Sequence, residues 1–392
     1  MQFGLEQCAA GKCLELKNRR LGLLANMGSV DCDFRYAWDV IANAYPGALA
    51  AIFSPQHGLW GERQANMVES GHDRLPHLDL PVYSLYADRR EPTPEMLAGI
   101  ETLVIDLQDV GTRVYTFAWT CMNCLGVCAR LGIPVVVLDR PNPIGGEIAE
   151  GPLLDLSFRS FVGQAAFPMR HGLTLGELLR VINAEFKIGA DLRVIPVEGW
   201  QRSMIWADTE RPWLFPSPNV PRLEGVLAYP GQVLLEGTNL SEGRGTTTPF
   251  EWLGAPFIDA DRLASELARL ELPGVVFRPV KFIPTFDKWR GEVCNGVAIR
   301  VTDTCAFRPY QTAVAALAIC RRDWPDDFRW LDPPYEYETE KMPIDIINGG
   351  SQLREGLEQI ATETNLSGLI SNLTEFDEQD WWQRTGSHRL YE

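Results

Sequence analysis

Leu103-Val-Ile-Asp-Leu-Gln-Asp-Val-Gly-Thr-Arg113 opens as an apolar run without alternation and passes into a polar cluster around a glycine. A strand wetted on one face alternates apolar and polar residues. One that is apolar throughout and ends in an acid is covered on both faces, as in a parallel sheet. Val135-Val-Val-Leu-Asp139 repeats the pattern, and Asp139-Arg-Pro-Asn-Pro-Ile-Gly-Gly146 repeats the polar, glycine-rich exit. Outward from this pair, residues 21–25, 49–53 and 82–85 read as further strands, with 194–197 a later one. Residues 34–45 and 117–131 are long enough for the crossover helices that parallel strands require. Thr174-Leu-Gly-Glu177 is a capping box ahead of a helix over 178–186. The fold class expected is α/β, an open, mostly parallel sheet with helices on both faces and its ligand crevice at the carboxyl ends of the strands.

Past this region the texture changes. Residues 199–245 are polar, aromatic and proline-rich with little periodicity. Such a length is too great for an idle connection, and long loops are usually functional. A helix follows near 259–270, then strands near 275–280 and 296–301 and a helix over 310–320, which together make a second, smaller α/β unit. Residues 330–343 read as coil, and the tail 379–392 as a segment that docks onto a domain. The expected organisation is a sheet domain over 1–198, a cleft-lining connection over 199–245 and the smaller domain over 246–392, in keeping with 392 residues at ~150 per domain. Hydrophobic residues at 45% and charged residues at 22% exclude a disordered chain. Fifty-two acidic against 36 basic residues leave a net charge of −16, which repels a nucleic-acid backbone, and no basic stripe offsets it. No apolar segment approaches the ~18 residues of a membrane span. Glu6, Lys12, Glu15 and Lys17 interrupt the start, so the expected setting is cytoplasmic, with nine reduced cysteines.

Several polar loops could carry chemistry. Ser54-Pro-Gln-His-Gly-Leu-Trp-Gly61 follows a strand, and its proline and glycines fix a turn. That turn could hold His57 toward a crevice as general base or hydrogen-bond donor, with Glu62 just beyond; alternatively the imidazole fastens the loop to backbone. In the 103–113 stretch, Asp106 lies near the strand end with Gln108, Asp109 and Arg113 in the loop. A carboxylate there can orient a sugar hydroxyl and an arginine fork suits a carboxylate or phosphate, the plainer reading being a buried Asp–Arg pair that fastens the loop. Asp139, Arg140 and Asn142 stand at the same point after the neighbouring strand. Glu236-Gly-Thr-Asn-Leu-Ser-Glu-Gly-Arg-Gly-Thr246 is the densest polar segment, bringing Glu236, Asn239, Glu242 and Arg244 together with three glycines. Paired carboxylates are the usual equipment for glycosidic cleavage; a solvated loop without a catalytic task is the alternative. Cys121, Cys124 and Cys128 fall on one helix face, but no second thiol or histidine cluster accompanies them. They read as small core residues, and no metal is expected. The glycines match neither G-x-G-x-x-G nor a P-loop, and a G-x-S-x-G elbow is missing, so no nucleotide cofactor is expected.

Read in order, Leu21-Gly-Leu-Leu-Ala-Asn26, Phe53-Ser-Pro-Gln-His-Gly58, Asp106 through Thr116, Asp139-Arg-Pro-Asn-Pro143 and Glu150-Gly-Pro152 continue into Pro168-Met-Arg-His-Gly172 and Phe215-Pro-Ser-Pro-Asn219. Tyr229-Pro-Gly231, Glu236 through Thr246, Pro249-Phe250 and Gly254-Ala-Pro256 complete the series. With these stretches the chain resembles the exo-β-N-acetylmuramidase family of bacteria. The resemblance implies a Rossmann-like domain with a smaller auxiliary domain, an active site in the cleft between them and no cofactor. It also implies release of N-acetylmuramic acid from the non-reducing end of peptidoglycan fragments, the MurNAc-GlcNAc disaccharide included. Many members carry Ser-Pro-Glu-His-Gly, whose glutamate is the favoured catalytic carboxylate, and this chain has Gln56 there. A glutamine cannot shuttle a proton. Either another acid takes the role, with Glu62, Glu69, Asp109, Glu236 and Glu242 as candidates, or the chain binds amino sugars with weak or no catalysis, or it cleaves a different sugar. The leading expectation makes Glu242 or Glu236 the general acid, Asp109 its carboxylate partner, and Arg113 and Arg244 the forks for the lactyl carboxylate. His57 joins the catalytic group, and Gln56, Glu62, Asp106, Gln108, Asp139, Arg140, Asn142 and Asn239 are the remaining expected sugar contacts. The expected partner is a muropeptide or amino-sugar small molecule, with no nucleic acid and no membrane, and the chain as monomer or homodimer.

Overall fold

A computed structural model describes residues 1–64, 68–361 and 363–392. The first sheet holds seven strands, β1 Leu21–Ala25, β2 Leu49–Ser54, β3 Asp73–Leu75, β4 Leu80–Ser84, β5 Thr102–Asp106, β6 Val135–Leu138 and β7 Leu192–Ile195, in the order β3-β4-β2-β1-β5-β6-β7. Every pairing is parallel except β3 with β4. The second sheet is antiparallel, with β8 Trp252–Ala255, β9 Val275–Phe282 and β10 Cys294–Val301 in the order β8-β10-β9. Helices α1 Gly4–Ala9, α2 Ala37–Ala44, α3 Phe117–Leu131 and α4 Leu175–Glu185 belong to the first sheet. Next come α5 Leu223–Gln232, α6 Ala260–Arg269 and α7 Pro309–Asp323, then α8 Pro343–Asn348, α9 Gln352–Glu358, α10 Leu366–Leu373 and α11 Glu378–Thr385.

The lack of alternation in β5 has a direct structural cause. Val104 joins a core with α1 and α2, through Leu5, Trp38 and Ile41, while Leu103 and Ile105 face the opposite way, toward Phe117, Cys121 and Leu125 of α3. The parallel strands run outward from β1 through β2 to β4 and from β5 through β6 to β7, so the chain reverses its winding between β1 and β5. Outside the carboxyl ends at such a switch point, loops diverge and leave a crevice. The core on the α3 side does not stop at the sheet: Val226 of α5, Val297 of β10 and Leu317 of α7 belong to the same cluster. Helix α7 is buried along most of its length, as its alanine-rich, apolar sequence requires.

Several bounds differ from expectation for local reasons. Phe34 has φ +61, a left-handed backbone that no helix accommodates, so α2 starts at Ala37. The last strand of the first sheet ends at Ile195, because Pro196 has no N–H for the ladder. Residues 199–245, expected to lack periodicity, contain α5 despite its internal Pro230. At Gly231 a Cβ would lie 1.9 Å from the Pro309 carbonyl oxygen, so glycine lets α5 close onto α7. The capping box is present, with Thr174 Oγ1 accepting from the Glu177 amide at 3.3 Å. The tail docks on the first domain, where the Trp381 indole donates to the His171 carbonyl at 3.0 Å and the Tyr391 hydroxyl to Asp139 at 2.6 Å.

Candidate active site

A small polar cavity opens at the switch-point end of the first sheet, walled on its far side by the second domain. Gln56 and His57 enter it from the turn that leaves β2, and Tyr115 and Thr116 from the loop between β5 and α3. Tyr229 comes from α5, Glu236 from the single 3₁₀ turn Val233–Gly237 behind it, and Arg244 from the glycine-rich loop that follows. Tyr335 and Glu336 close the wall from the coil over 330–343. Among the described residues, the Tyr115 hydroxyl and Asn219 Oδ1 line this cavity as uncharged buried polar atoms without a hydrogen-bond partner. Buried polar atoms are rarely left unpaired. A polar ligand is the natural complement of these two.

His57 has φ +75, a strained conformation for a side chain with a Cβ, and burial pushes its imidazole down to about 4. The ring is therefore neutral. Its Nδ1 lies 2.6 Å from the Arg63 carbonyl, which can only accept, so Nδ1 carries the proton and donates. Glu236 accepts from the Tyr335 hydroxyl at 2.8 Å and is ion-paired with Arg244; burial raises its carboxyl. Arg244 reaches Glu242 through Nε at 3.4 Å, and Lys288 meets Glu242 at 2.6 Å. Burial opposes the charge of Glu242, but Lys288 and Arg244 outweigh it and hold this carboxyl below the usual range. Glu336 accepts from the Tyr86 hydroxyl at 3.0 Å and from Gln56 Nε2 at 3.5 Å, and burial, with the neighbouring Glu236 charge, raises its carboxyl. Gln56 is oriented from its other end by the Thr116 hydroxyl, which donates to Oε1 at 2.7 Å.

Of the residues expected from sequence, the cavity gathers Gln56, His57, Glu236 and Arg244. Glu242 lies one layer back, on an adjoining cavity with Lys288 and Tyr335. Arg113 is not in the cleft: its guanidinium is spent on the carbonyls of Pro152, Phe167, Ile347 and Asn348, at 2.7–2.9 Å. Asp106 is wholly buried against Arg140 in a two-point pair at 2.6 and 2.8 Å, so the fastening Asp–Arg pair exists, with Arg140 rather than Arg113 as its cation. Asp109 accepts from the Gly111 amide at 2.7 Å and stands 3.3 Å from His171; Gln108 donates to the Asp109 and Pro141 carbonyls. Asp139 holds the start of α4 through Thr174 and the Gly176 amide. Asn142 ties to Leu173, and Asn239 to the 327–329 backbone. Glu62 is exposed, and Glu69, also exposed, reaches Arg90 at 3.4 Å. Cys121, Cys124 and Cys128 are buried in α3, and burial alone suffices to raise the Cys128 thiol to about 12.

Sequence reasoning missed Tyr115, Thr116, Asn219, Tyr229, Tyr335 and Glu336 as cavity residues. The first four lie inside stretches that carry the family resemblance. The signal for the last two is Pro334-Tyr-Glu-Tyr-Glu338, aromatic and acidic residues alternating in a segment too short of apolar residues to be core.

Comparison with known proteins follows the same outline. The family description "Exo-beta-N-acetylmuramidase NamZ, N-terminal" matches residues 21–224, and its C-terminal counterpart matches 227–391. The peptidoglycan β-N-acetylmuramidase NamZ of Bacillus subtilis (strain 168) is 42% identical over 331 residues, 84% of this chain and 80% of that protein. A DUF1343 family protein from Bacteroides fragilis NCTC 9343, known from a crystal structure, superposes with a TM-score of 0.88 at 30% identity, covering 100% of this chain and 99% of the other. A second DUF1343 protein from the same organism superposes with a TM-score of 0.75 at 24% identity, with coverage of 100% and 99%, a likeness of fold.

Proposed function

The chain belongs to the NamZ exo-β-N-acetylmuramidase family, and from that premise we propose that its switch-point cavity takes the terminal N-acetylmuramic acid of a muropeptide and releases it by hydrolysis. It is an exo-acting glycoside hydrolase of peptidoglycan fragments. The observation that carries the placement is the pairing of two carboxyls, Glu236 and Glu336, in one polar cavity at the switch point. Glycosidic cleavage asks for such a pair flanking the scissile bond. Arg244 supplies a buried guanidinium for the lactyl carboxylate, in exchange for part of its hold on Glu236 and Glu242. Glu242, kept ionised by Lys288, serves this reading as the counter-charge that fixes Arg244.

The working unit is a monomer or homodimer. Nine unpaired cysteines support a reducing compartment such as the cytoplasm. The function is tested by incubating the protein with MurNAc-GlcNAc and with longer glycan fragments of defined ends. Free N-acetylmuramic acid is expected as the first product from fragments that carry it at the non-reducing end, and no product from fragments ending in N-acetylglucosamine. Saturable binding of MurNAc-GlcNAc without turnover would favour instead the reading suggested by Gln56, a sugar-binding protein.

A further inference from the structure

Gln56 lines the cavity from the Ser54–Gly58 turn, and its amide cannot give up a proton at neutral pH. The structure nevertheless has a carboxyl within reach of the same position. Glu336 Oε1 is 3.5 Å from Gln56 Nε2, although the two residues are 280 positions apart, and Glu336 Oε2 accepts from the Tyr86 hydroxyl at 3.0 Å. Glu336 lines the inner cavity and also a larger, more open one beside Arg90, Phe161 and Tyr337, whereas the second cavity that Glu236 lines is the one it shares with Glu242 and Lys288. An enzyme that removes one terminal sugar has its scissile oxygen at just such a boundary, the sugar on the inner side and the leaving group on the outer.

Resting on the muramidase reading above, we propose that Glu336 is the general acid of this chain, in place of the carboxyl that Gln56 lacks, with Gln56 as the residue that positions it. In the step, the bond between C1 and the glycosidic oxygen breaks and its electron pair stays on that oxygen, which takes the proton of the Glu336 carboxyl. The oxygen of a water molecule bonds to C1, and the proton that this water loses restores the Glu336 carboxyl. One water is consumed, and two hydroxyl-bearing sugars leave. The electrostatics agree. Two carboxyls in one buried cavity do not both ionise readily, burial raises both Glu236 and Glu336, and Arg244 is ion-paired with Glu236.

The test uses two substrates, MurNAc-GlcNAc and the 2,4-dinitrophenyl β-glycoside of N-acetylmuramic acid, whose phenolate departs without a proton. For Glu336→Gln, kcat on the disaccharide is expected to fall by at least ~10²-fold, the low end for general acid–base catalysis, and on the dinitrophenyl glycoside by less than ~10-fold. The wild type supplies a second measurement that does not depend on a variant folding. Its kcat/KM should fall on the alkaline side for the disaccharide and not for the dinitrophenyl glycoside. Equal losses on both substrates in the variant, no loss on either, or an identical alkaline limb for both in the wild type overturns the assignment of Glu336 and leaves the muramidase reading standing. A wild type inert on both glycosides overturns that reading, and this assignment with it.

Discussion

At the scale of single residues, burial decides what each charged group in the cleft can do. Arg113 suggests a carboxylate receptor when only its loop is known, yet its fork is filled by four backbone carbonyls. Lysine cannot reproduce that geometry, so Arg113→Lys should cost about 3 kcal/mol of stability, in the range of charge-assisted hydrogen bonds lost in a buried site. Activity on MurNAc-GlcNAc should fall only as far as the folded fraction does; a large loss of activity with an unchanged Tm would contradict this role. His57 makes a different prediction. Its folded imidazole stays neutral down to about 4, whereas in the unfolded chain it takes a proton near ~6.5. The unfolded state therefore binds the proton first, and the stability present above pH ~6.5 is lost as pH falls toward ~4, by about 3 kcal/mol at most. Denaturant titrations between those pH values should show a shallower slope for His57→Gln than for the wild type; equal slopes would mean the imidazole is protonated in the fold. Glu336 was illegible in the sequence for a simple reason. Its meaning comes from Gln56 and Tyr86, which the fold supplies from far along the chain, while its own neighbours in sequence read as coil.

Among elements, those whose residues are decided locally were the legible ones. β1, β6 and α3 have the bounds that their apolar runs and helical spacing indicate, and α4 starts at its capping threonine. α5 was hidden because Pro230 and Gly231 act as breakers in isolation, whereas in the fold Gly231 is what allows the contact with α7. β3 and β8, of three and four residues, hold too few side chains to show a period. The three cysteines of α3 are core residues, and their burial has a chemical consequence. The thiolate is the reactive form, and burial keeps all three thiols protonated well above neutral pH. Alkylation of native protein at pH 8 should label Cys32 and Cys305, which are exposed, and spare Cys121, Cys124 and Cys128 until denaturant is added. Rapid labelling of the α3 thiols in the native state, or protection of them by added zinc, would contradict the core assignment.

For the whole molecule, two sheets of different topology share one hydrophobic core, and the cleft is what remains where they do not touch. Leu103 and Phe117 of the first domain belong to the same buried cluster as Val297 and Leu317 of the second. Neither half can lose its packing without exposing the other's, so fluorescence from the twelve tryptophans and far-ultraviolet circular dichroism should report one coincident unfolding transition. Two separated transitions would show that the domains are independent. The doubly wound half of this architecture was readable from strands that end in polar loops. The walls contributed by the second domain were not, because a cleft between domains is made by pairings distant in sequence. The central claim, that one muramyl sugar sits inside with its scissile oxygen at Glu336, is tested most directly by a crystal structure of Glu336→Gln with MurNAc-GlcNAc bound. The account predicts the muramyl ring in the inner cavity, the second sugar beside Arg90 and Tyr337, and the glycosidic oxygen at ~2.6–3.2 Å from the residue 336 side chain. A disaccharide bound the other way round, or a glycosidic oxygen facing Glu236 or Glu242 instead, would contradict it.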